Sequence, residues 1–246
     1  MKKAVLALVV LTAVLLAGNY ENGLAAIDNK DYKKAVELFK KEANNGNKNA
    51  QKDLALMYSE GKGVAQDYKK AVKWYQKAAD QGVISAQLNL ALMYENGVGV
   101  KQDYKKSVQL YTKYANQGNA YCQSNLALMY AKGKGVKQDY KKAVELYTKA
   151  ANQGVSQAQS NLGDLYKDGK GVKQDDKKAV ELFKKSVRQD NADAQNLMGF
   201  MYITGRGVKQ DKIKAYQFWM KSAKQGQASA QSNLDRLCKE SPWACK

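Results

Sequence analysis

The chain has 246 residues and a formal charge of +18, because 41 lysines and arginines outnumber 23 aspartates and glutamates. It contains no histidine, which excludes histidine-based acid–base catalysis, Ser-His-Asp triads and histidine ligation of a metal. Almost all of the positive charge is lysine, whereas readers of nucleic-acid bases favour arginine forks, so no nucleic-acid partner is expected. The charge favours an acidic partner or anionic lipid, or it serves solubility alone.

The amino terminus is predicted to be a secretory signal peptide. Two lysines precede an apolar run, residues 4–17, that is too short for a hydrocarbon core, which needs about 20 residues. We therefore divide the chain into a signal peptide, 1–18, and a mature region, 19–246, in the periplasm or outside the cell. An uncleaved amphiphilic anchor is the alternative. The mature region would not be an integral membrane protein, although association with a membrane surface stays open.

After this segment, one 36-residue unit is repeated six times without insertion or deletion. Each copy opens with an aspartate, at Asp31, Asp67, Asp103, Asp139, Asp175 and Asp211. A fixed period of this length marks a solenoid, in which each unit contacts only its neighbours.

Each copy contains two stretches with helical periodicity. In the second copy the first stretch runs from Asp67 to Asp80, with Asp67 placed as the N-cap. The second stretch runs from about Ser85 to Tyr94 and is followed by a glycine loop. Residues 19–27 precede the first copy as a shortened partner helix. Because neither helix buries its apolar stripe alone, stacking the copies creates one continuous core, and an all-α solenoid is predicted.

The carboxy terminus is predicted to be closed by a disulfide. Cys238 and Cys245 lie seven residues apart with Pro242 between them, and export implies an oxidising compartment. A bridge there would staple the end of the array, where no further repeat covers the last helix. Cys122 occupies a slot that holds alanine in the other copies, so we expect a small buried residue with an unpaired thiol. No metal site and no cofactor are predicted.

The pattern A-x-A-Q-x-N-L-A-x-M-Y-x-x-G-x-G-V-x-x-D-Y-x-K-A-x-x-W-Y-x-K-A-A-x-Q-G, clearest from Ser85 through Gly118 and from Gln66 to Gly82, resembles the Sel-1-like repeat, a relative of the tetratricopeptide repeat. The resemblance covers essentially the whole mature region. It implies a right-handed α/α superhelical solenoid of about six 36-residue repeats that serves as a scaffold for protein–protein contacts. It also implies an exported bacterial protein with an envelope function.

One exported branch of that family carries a cysteine pair eight residues apart in each repeat. The corresponding positions here are alanine and glutamine, at Ala43 and Gln51, Ala79 and Gln87, and Ala151 and Gln159. The repeat-by-repeat disulfides of that branch are therefore absent from this chain.

Some members of the same branch are linked to penicillin binding, which makes a weak penicillin-binding or β-lactamase-like hydrolase the alternative function. The chain has one S-x-x-K match, Ser59 to Lys62. Ser59 falls where a helix runs into a glycine loop, and no K-T-G sequence exists, whereas penicillin-recognising enzymes need a serine at a helix start opposite a K-T-G strand. We expect no catalytic residue and no enzymatic activity.

Paired lysines in the first turn after each aspartate form one candidate interaction site, a basic ladder. They are Lys33 and Lys34, Lys69 and Lys70, Lys105 and Lys106, Lys141 and Lys142, and Lys177 and Lys178. A row of this kind would bind an acidic partner or anionic lipid. The alternative is a solvated face that repeat duplication has multiplied.

Variable positions on the second helix form the other candidate site. One outward slot holds Leu56, Leu92, Leu128, Asp164, Phe200 and Arg236. In the family this helix lines the concave face, so the resemblance implies a groove. The predicted groove consists of Leu56, Leu92, Leu128 and Phe200, flanked by Tyr121 and Ile203. It would bind a partner protein or peptide, in one version as an immunity or accessory protein of a secreted effector. Packing between repeats is the alternative, and the partner and oligomeric state stay open.

Overall fold

A computed structural model describes residues 18–245, so the predicted signal peptide lies almost wholly outside the described residues. All regular elements in this range are helical, and residues 18–28 belong to the first helix, α1. The next helices are α2 (Tyr32–Asn44), α3 (Lys48–Glu60), α4 (Tyr68–Asp80), α5 (Ile84–Asn96), α6 (Tyr104–Asn116) and α7 (Ala120–Lys132). They are followed by α8 (Tyr140–Asn152), α9 (Ser156–Asp168), α10 (Asp176–Val187), α11 (Ala192–Thr204), α12 (Lys212–Lys224), α13 (Ala228–Glu240) and a short 3-10 helix (Pro242–Cys245). The predicted all-α solenoid is confirmed.

Helix boundaries follow the repeated capping residues. The side chain of Asp67 accepts a hydrogen bond of 2.9 Å from the backbone N–H of Lys70, and the other five repeat aspartates make the same bond. This bond satisfies a backbone donor that the first helical turn leaves open. The second helix of the pair, α5, extends to Asn96 because Gly97 ends it in the left-handed conformation, with φ of 72°.

The G-x-G loop that follows every second helix except α13 is explained by backbone packing. Gly99 has φ of 71°, and a Cβ atom at this position would overlap the backbone carbonyl of Tyr68. The side chain of Gln102 closes the same loop by donating to the carbonyl oxygen of Glu95 at 2.9 Å. Close approach of the first turn of α4 therefore requires glycine here.

The chain consists of two compact units, and the boundary in the sequence lies between Tyr111 and Thr112. In the first, the small residues of the first helices, such as Ala78 and Ala79, are buried with large residues such as Phe39 and Leu90. The second has the same construction, with Ala150 and Tyr147 in one cluster of its core. Alanines at the contact faces let neighbouring helices approach closely.

Buried glutamines link the helices within each unit. Gln51 is 4% exposed and donates from Nε2 to the carbonyl oxygen of Ala43, at 3.1 Å, while its own Oε1 accepts from Gln81 at 2.8 Å. In the second unit Gln159 bonds to Ala151 at 3.2 Å in the same way. We call this series the glutamine ladder. The ladder consists of the alanine and glutamine positions that hold a disulfide in each repeat of the cysteine-rich branch. In this chain a hydrogen bond joins the two positions instead.

The carboxy terminus is closed as predicted, because Cys238 and Cys245 form a disulfide. The 3-10 helix that contains Cys245 covers α12 and α13, and Ala244 within it is 4% exposed. Cys122 is a buried free cysteine, and burial raises the pKa of its thiol to about 12. The thiol is therefore protonated and unreactive at neutral pH.

Within residues 18–245 no helix has the length and apolarity that a bilayer crossing requires.

Candidate functional site

A cavity of about 250 Å³ opens on the first unit, and we call it the leucine pocket. It is lined by Leu56, Ser59, Tyr68, Tyr75, Asn89, Leu92, Met93, Asn96 and Val98. Leu56 is 41% exposed and Tyr68 is 40% exposed, which is unusual for side chains of this size. The pocket thus offers apolar surface to solvent beside a few polar groups, as ligand sites commonly do.

The repeat itself positions the two leucines. Leu56 lies on α3 and Leu92 on α5, which are the second helices of successive copies, so both occupy the same slot 36 residues apart. Tyr75 comes from α4 between them and is 3% exposed. Burial raises the pKa of the Tyr75 hydroxyl, while hydrogen bonds with Ser59 and Asn89 act in the opposite direction. The phenol therefore stays neutral, and the pocket contains no charged side chain.

Ser59 is not arranged as a nucleophile. Its hydroxyl donates a 2.8 Å hydrogen bond to the carbonyl oxygen of Leu56 in its own helix. Lys62, the lysine of the S-x-x-K match, forms an ion pair with Glu60 at 2.7 Å, and that bond raises the pKa of the ammonium. A lysine that holds its proton more firmly cannot act as the general base that a Ser–Lys mechanism needs.

Only two of the six predicted groove residues share this pocket. In the second unit, Leu128 is half-buried against the cluster around Tyr147, and Ile203 is half-buried against the cluster around Trp219. Tyr121 is 55% exposed and lines a different cavity with polar neighbours. Phe200 is 36% exposed, and its ring lies 5.4 Å from the ammonium of Lys167 and 5.9 Å from the guanidinium of Arg206. The structure therefore places these four residues in separate surroundings, and inter-repeat packing accounts for Leu128 and Ile203.

The second unit contains a polar cavity of about 290 Å³, which we call the aspartate pocket. It is lined by Ser160, Asn161, Asp164, Asp193, Asn196, Leu197, Gln227 and Ser229. Asp164 occupies the slot of Leu56 and Leu92, and the sequence pointed to it as a departure from leucine. Sequence reasoning missed Asp193, although its slot also varies from copy to copy.

The basic ladder consists of two rows. The first row contains the first lysine of each pair and the second row contains the second lysine, such as Lys69 and Lys70. All ten predicted lysines are exposed. Lysines of the second row make local contacts: the ammonium of Lys70 lies 3.2 Å from the carboxylate of Asp67 and 5.4 Å from the ring centre of Tyr58. Within residues 18–245 the first row, represented by Lys69, makes no ion pair or ring contact. The first row therefore carries the charge that remains available to a partner.

A metal centre is not indicated, because no group of three or more potential ligands occurs among the described residues.

The sequence profile of the Sel1 repeat matches six consecutive segments, 12–47, 48–83, 84–119, 120–155, 156–191 and 192–227. The chain belongs to the Sel1 repeat family. The unit of the Sel1 profile begins at the second helix of each pair, so its boundaries are offset from the aspartates while the period of 36 residues is the same. Sel1 repeats form scaffolds that are suited to protein–protein interaction and are generally non-enzymatic. Comparison with curated proteins gives no match.

Solved structures of other bacterial Sel1 proteins have the same fold. A protective antigen of uropathogenic Escherichia coli with an SLR fold is 35% identical, with a TM-score of 0.82 over 92% of this chain and 49% of the antigen. The chain thus spans about half the length of that antigen. A Sel1 repeat protein from Oxalobacter formigenes is also 35% identical, with a TM-score of 0.80 over 87% of this chain and 88% of its own.

Two immunity proteins from Pseudomonas aeruginosa are more distant, each at 21% identity with a TM-score of 0.52. The likeness covers 85% and 91% of this chain and 81% and 82% of theirs, respectively. At this level of identity the likeness concerns the fold alone.

Proposed function

We propose that the protein is a non-enzymatic scaffold of the bacterial cell envelope that binds a partner protein or peptide in the leucine pocket. The observation that carries the proposal is the exposure of Leu56 beside Leu92 in an uncharged cavity. Exposed apolar side chains that line a concave site are typical anchors for an apolar residue of a partner. The hydrogen bonding of Ser59 and the ion pair of Lys62 favour binding over hydrolysis as the role of this region.

A peptide display experiment tests the proposal. A random peptide library is selected on the immobilised mature chain and counter-selected on the Leu56→Asp/Leu92→Asp variant. We expect peptides with apolar anchor residues, whose binding weakens at least about 30-fold in the variant because two apolar contacts are lost. Affinity is measured by fluorescence anisotropy, and circular dichroism checks that the variant is folded.

The matched control is Ile213→Asp, which replaces an apolar side chain that is 50% exposed and lies outside the pocket. This control should bind the selected peptides as the unaltered chain does. The proposal is wrong if no peptide is enriched, or if Ile213→Asp weakens binding as much as the double variant.

The first row of lysines would add a long-range attraction to an acidic partner surface. Such charges act mainly on the association rate, which should fall as salt rises. Replacement of Lys69, Lys141 and Lys177 by glutamine should slow association and leave the dissociation rate unchanged. Equal association at low and high salt would contradict a role for the ladder, whereas sedimentation with anionic vesicles would favour a lipid surface as its ligand.

The envelope location rests on the sequence of residues 1–18. Cell fractionation of the full chain, with sequencing of the mature amino terminus, tests it. An intact amino terminus in the cytoplasmic fraction would contradict it.

An immunity role is a finer form of the same proposal, and its support is that two immunity proteins share the fold. Co-expression with the products of neighbouring genes tests it. The unaltered chain should protect cells from a toxic product, and Leu56→Asp/Leu92→Asp should not. If none of these products is toxic, or if the variant protects equally well, this form of the proposal is wrong.

A further inference from the structure

The aspartate pocket carries more negative charge than its surroundings neutralise. Asp164 pairs with the ammonium of Lys167 at 2.8 Å, and Lys167 also contacts Asp168 at 3.1 Å. No lysine or arginine within residues 18–245 forms an ion pair with Asp193. Asp193 therefore keeps its negative charge even though the chain has a formal charge of +18. Two carboxylates and one ammonium leave one negative charge at the pocket.

Amide groups hold Asp193 in place without neutralising it. Gln157 donates from Nε2 to one carboxylate oxygen at 3.0 Å, and Gln227 donates to the other. Asn196 donates to the hydroxyl of Ser229 at 3.1 Å. The donors of the pocket wall are therefore engaged with one another, and what the pocket offers to a ligand is mostly acceptors.

Ser160 supplies an independent sign of a missing ligand. Its side chain is 1% exposed and lines the pocket, yet its hydroxyl oxygen has no hydrogen-bond partner. An unsatisfied buried hydroxyl destabilises the free protein, so such groups are rare unless something binds them. A ligand with several N–H donors would satisfy this oxygen together with the spare lone pairs of the carboxylates.

We propose that the aspartate pocket binds the basic side chain of a lysine or arginine residue in a peptide. Ammonium and guanidinium groups are donors only and carry the single positive charge that the pocket lacks. The cavity of about 290 Å³ admits such a side chain. The inference builds on the proposed function in taking the ligand to be part of a peptide.

Small probes test the pocket without knowledge of the partner. The mature chain is titrated with N-acetyl-arginine methylamide, with the lysine analogue, and with the citrulline analogue, in which a neutral urea replaces the guanidinium. Side-chain amide signals of Gln227 and Asn196 are followed by NMR. We expect saturable shifts with a dissociation constant on the order of millimolar for at least one cation, and about tenfold weaker binding of citrulline.

Three variants complete the experiment. Asp193→Asn should weaken cation binding about tenfold, whereas Asp235→Asn, an exposed carboxylate outside the pocket, should leave it unchanged. Ser160→Ala should weaken binding about threefold without lowering the thermal midpoint, since it removes an unsatisfied group. The proposal is overturned if citrulline binds as well as both cations, if the two aspartate variants behave alike, or if Ser160→Ala binds normally.

The probes also separate this inference from the proposed function. Leu56→Asp/Leu92→Asp should bind the cationic probes as the unaltered chain does. Loss of peptide binding by that variant would uphold the leucine pocket, whereas loss of probe binding by Asp193→Asn would uphold the aspartate pocket. Each of the two proposals can therefore be contradicted while the other is upheld.

Discussion

The leucine pocket and the aspartate pocket share two positions of the repeat but offer opposite chemistry. Leu92 on α5 and Asp164 on α9 occupy the same slot of the repeat, and each follows an asparagine three residues earlier, Asn89 or Asn161. Both asparagines bond a tyrosine of the preceding first helix: Asn89 bonds Tyr75, and Asn161 donates to the hydroxyl of Tyr147 at 3.0 Å. The other lining residues differ: the leucine pocket includes Tyr68 and Tyr75 of α4, whereas the aspartate pocket is lined from α9, α11 and the start of α13.

The comparison shows which residues are free to specify binding. Aspartate caps, loop glycines and the glutamine ladder recur in both units, because every copy needs them to join its neighbours. Differences concentrate on exposed slots of the second helices. A repeat array can therefore change its ligands one slot at a time without altering its helices.

If the two units are built in the same way, a residue of the glutamine ladder should contribute equally to the free energy of unfolding in either unit. This prediction has the largest expected effect. Gln51→Ala and Gln159→Ala should each lower the free energy of unfolding by about 2 kcal/mol, since each removes a buried side chain that bonds on both sides. Urea denaturation followed by circular dichroism measures the loss. Gln109→Ala, an exposed position, is the control and should be neutral. A large loss from only one of the two would show that the units do not share one frame.

Replacing the slot residue of either pocket should weaken the binding of that pocket's own ligand. Asp164→Leu should weaken binding of the arginine probe about tenfold, because the carboxylate is lost. Leu92→Asp should weaken binding of the apolar peptides by a similar factor, because an apolar contact is lost. The NMR and anisotropy titrations described above measure both. If each variant retains its original ligand, the slot does not decide the chemistry and the comparison fails.

A smaller effect is expected where the second unit departs from the repeat pattern at another point. Asp176 stands where the first four copies have tyrosine, and Arg206 bonds it through two nitrogens, Nε at 3.0 Å and Nη2 at 2.6 Å. Arg206→Lys should cost about 1 kcal/mol of stability, since lysine cannot form this fork. Combining it with Asp176→Tyr, which copies the fourth repeat at Lys170 and Tyr140, should restore part of the loss. Additive losses in the double variant would mean that the two positions are not coupled.

The smallest effect is a pH dependence of the same pair. The hydrogen bonds from Arg206 lower the pKa of the Asp176 carboxyl in the folded chain. A carboxyl whose folded pKa lies below its unfolded value stabilises the protein above that unfolded value, about 4, and the contribution is lost as pH falls through the folded pKa. The stability difference between the unaltered chain and Asp176→Asn should therefore shrink below about pH 4. A difference that stays constant down to pH 2 would contradict this linkage.

The sequence predicted the frame well, because period, caps and apolar stripes are local properties. Asp67 caps a helix that starts at the next residue, and Cys238 pairs with Cys245, seven residues away. Because each partner is close in sequence, the sequence pattern alone reveals these roles. The single groove stays a prediction. Leu92 and Leu128 occupy the same slot and are both half-buried, but Leu92 lines the leucine pocket and Leu128 packs against the core cluster around Tyr147, and the repeat pattern does not distinguish these surroundings.

The aspartate pocket and the glutamine ladder were missed for related physical reasons. Asp164 and Asp193 come from different helices, α9 and α11, and nothing local relates them. The unsatisfied hydroxyl of Ser160 depends on burial, which one position in a helix does not reveal. Gln51 and Gln159 were visible at a fixed spacing from an alanine, yet their meaning required the side-chain amide to reach that alanine's carbonyl.

The glutamine ladder has an evolutionary consequence. Gln51 donates backward to Ala43 and accepts from Gln81, 30 residues further along, so each helix junction is closed by groups that the repeat carries within its own sequence. A tandem duplication of 36 residues would bring with it both the donor and the acceptor for the new junction. Arrays of this kind can grow or shrink by recombination between copies without a compensating mutation, and a newly added copy is at once available to acquire a different slot residue.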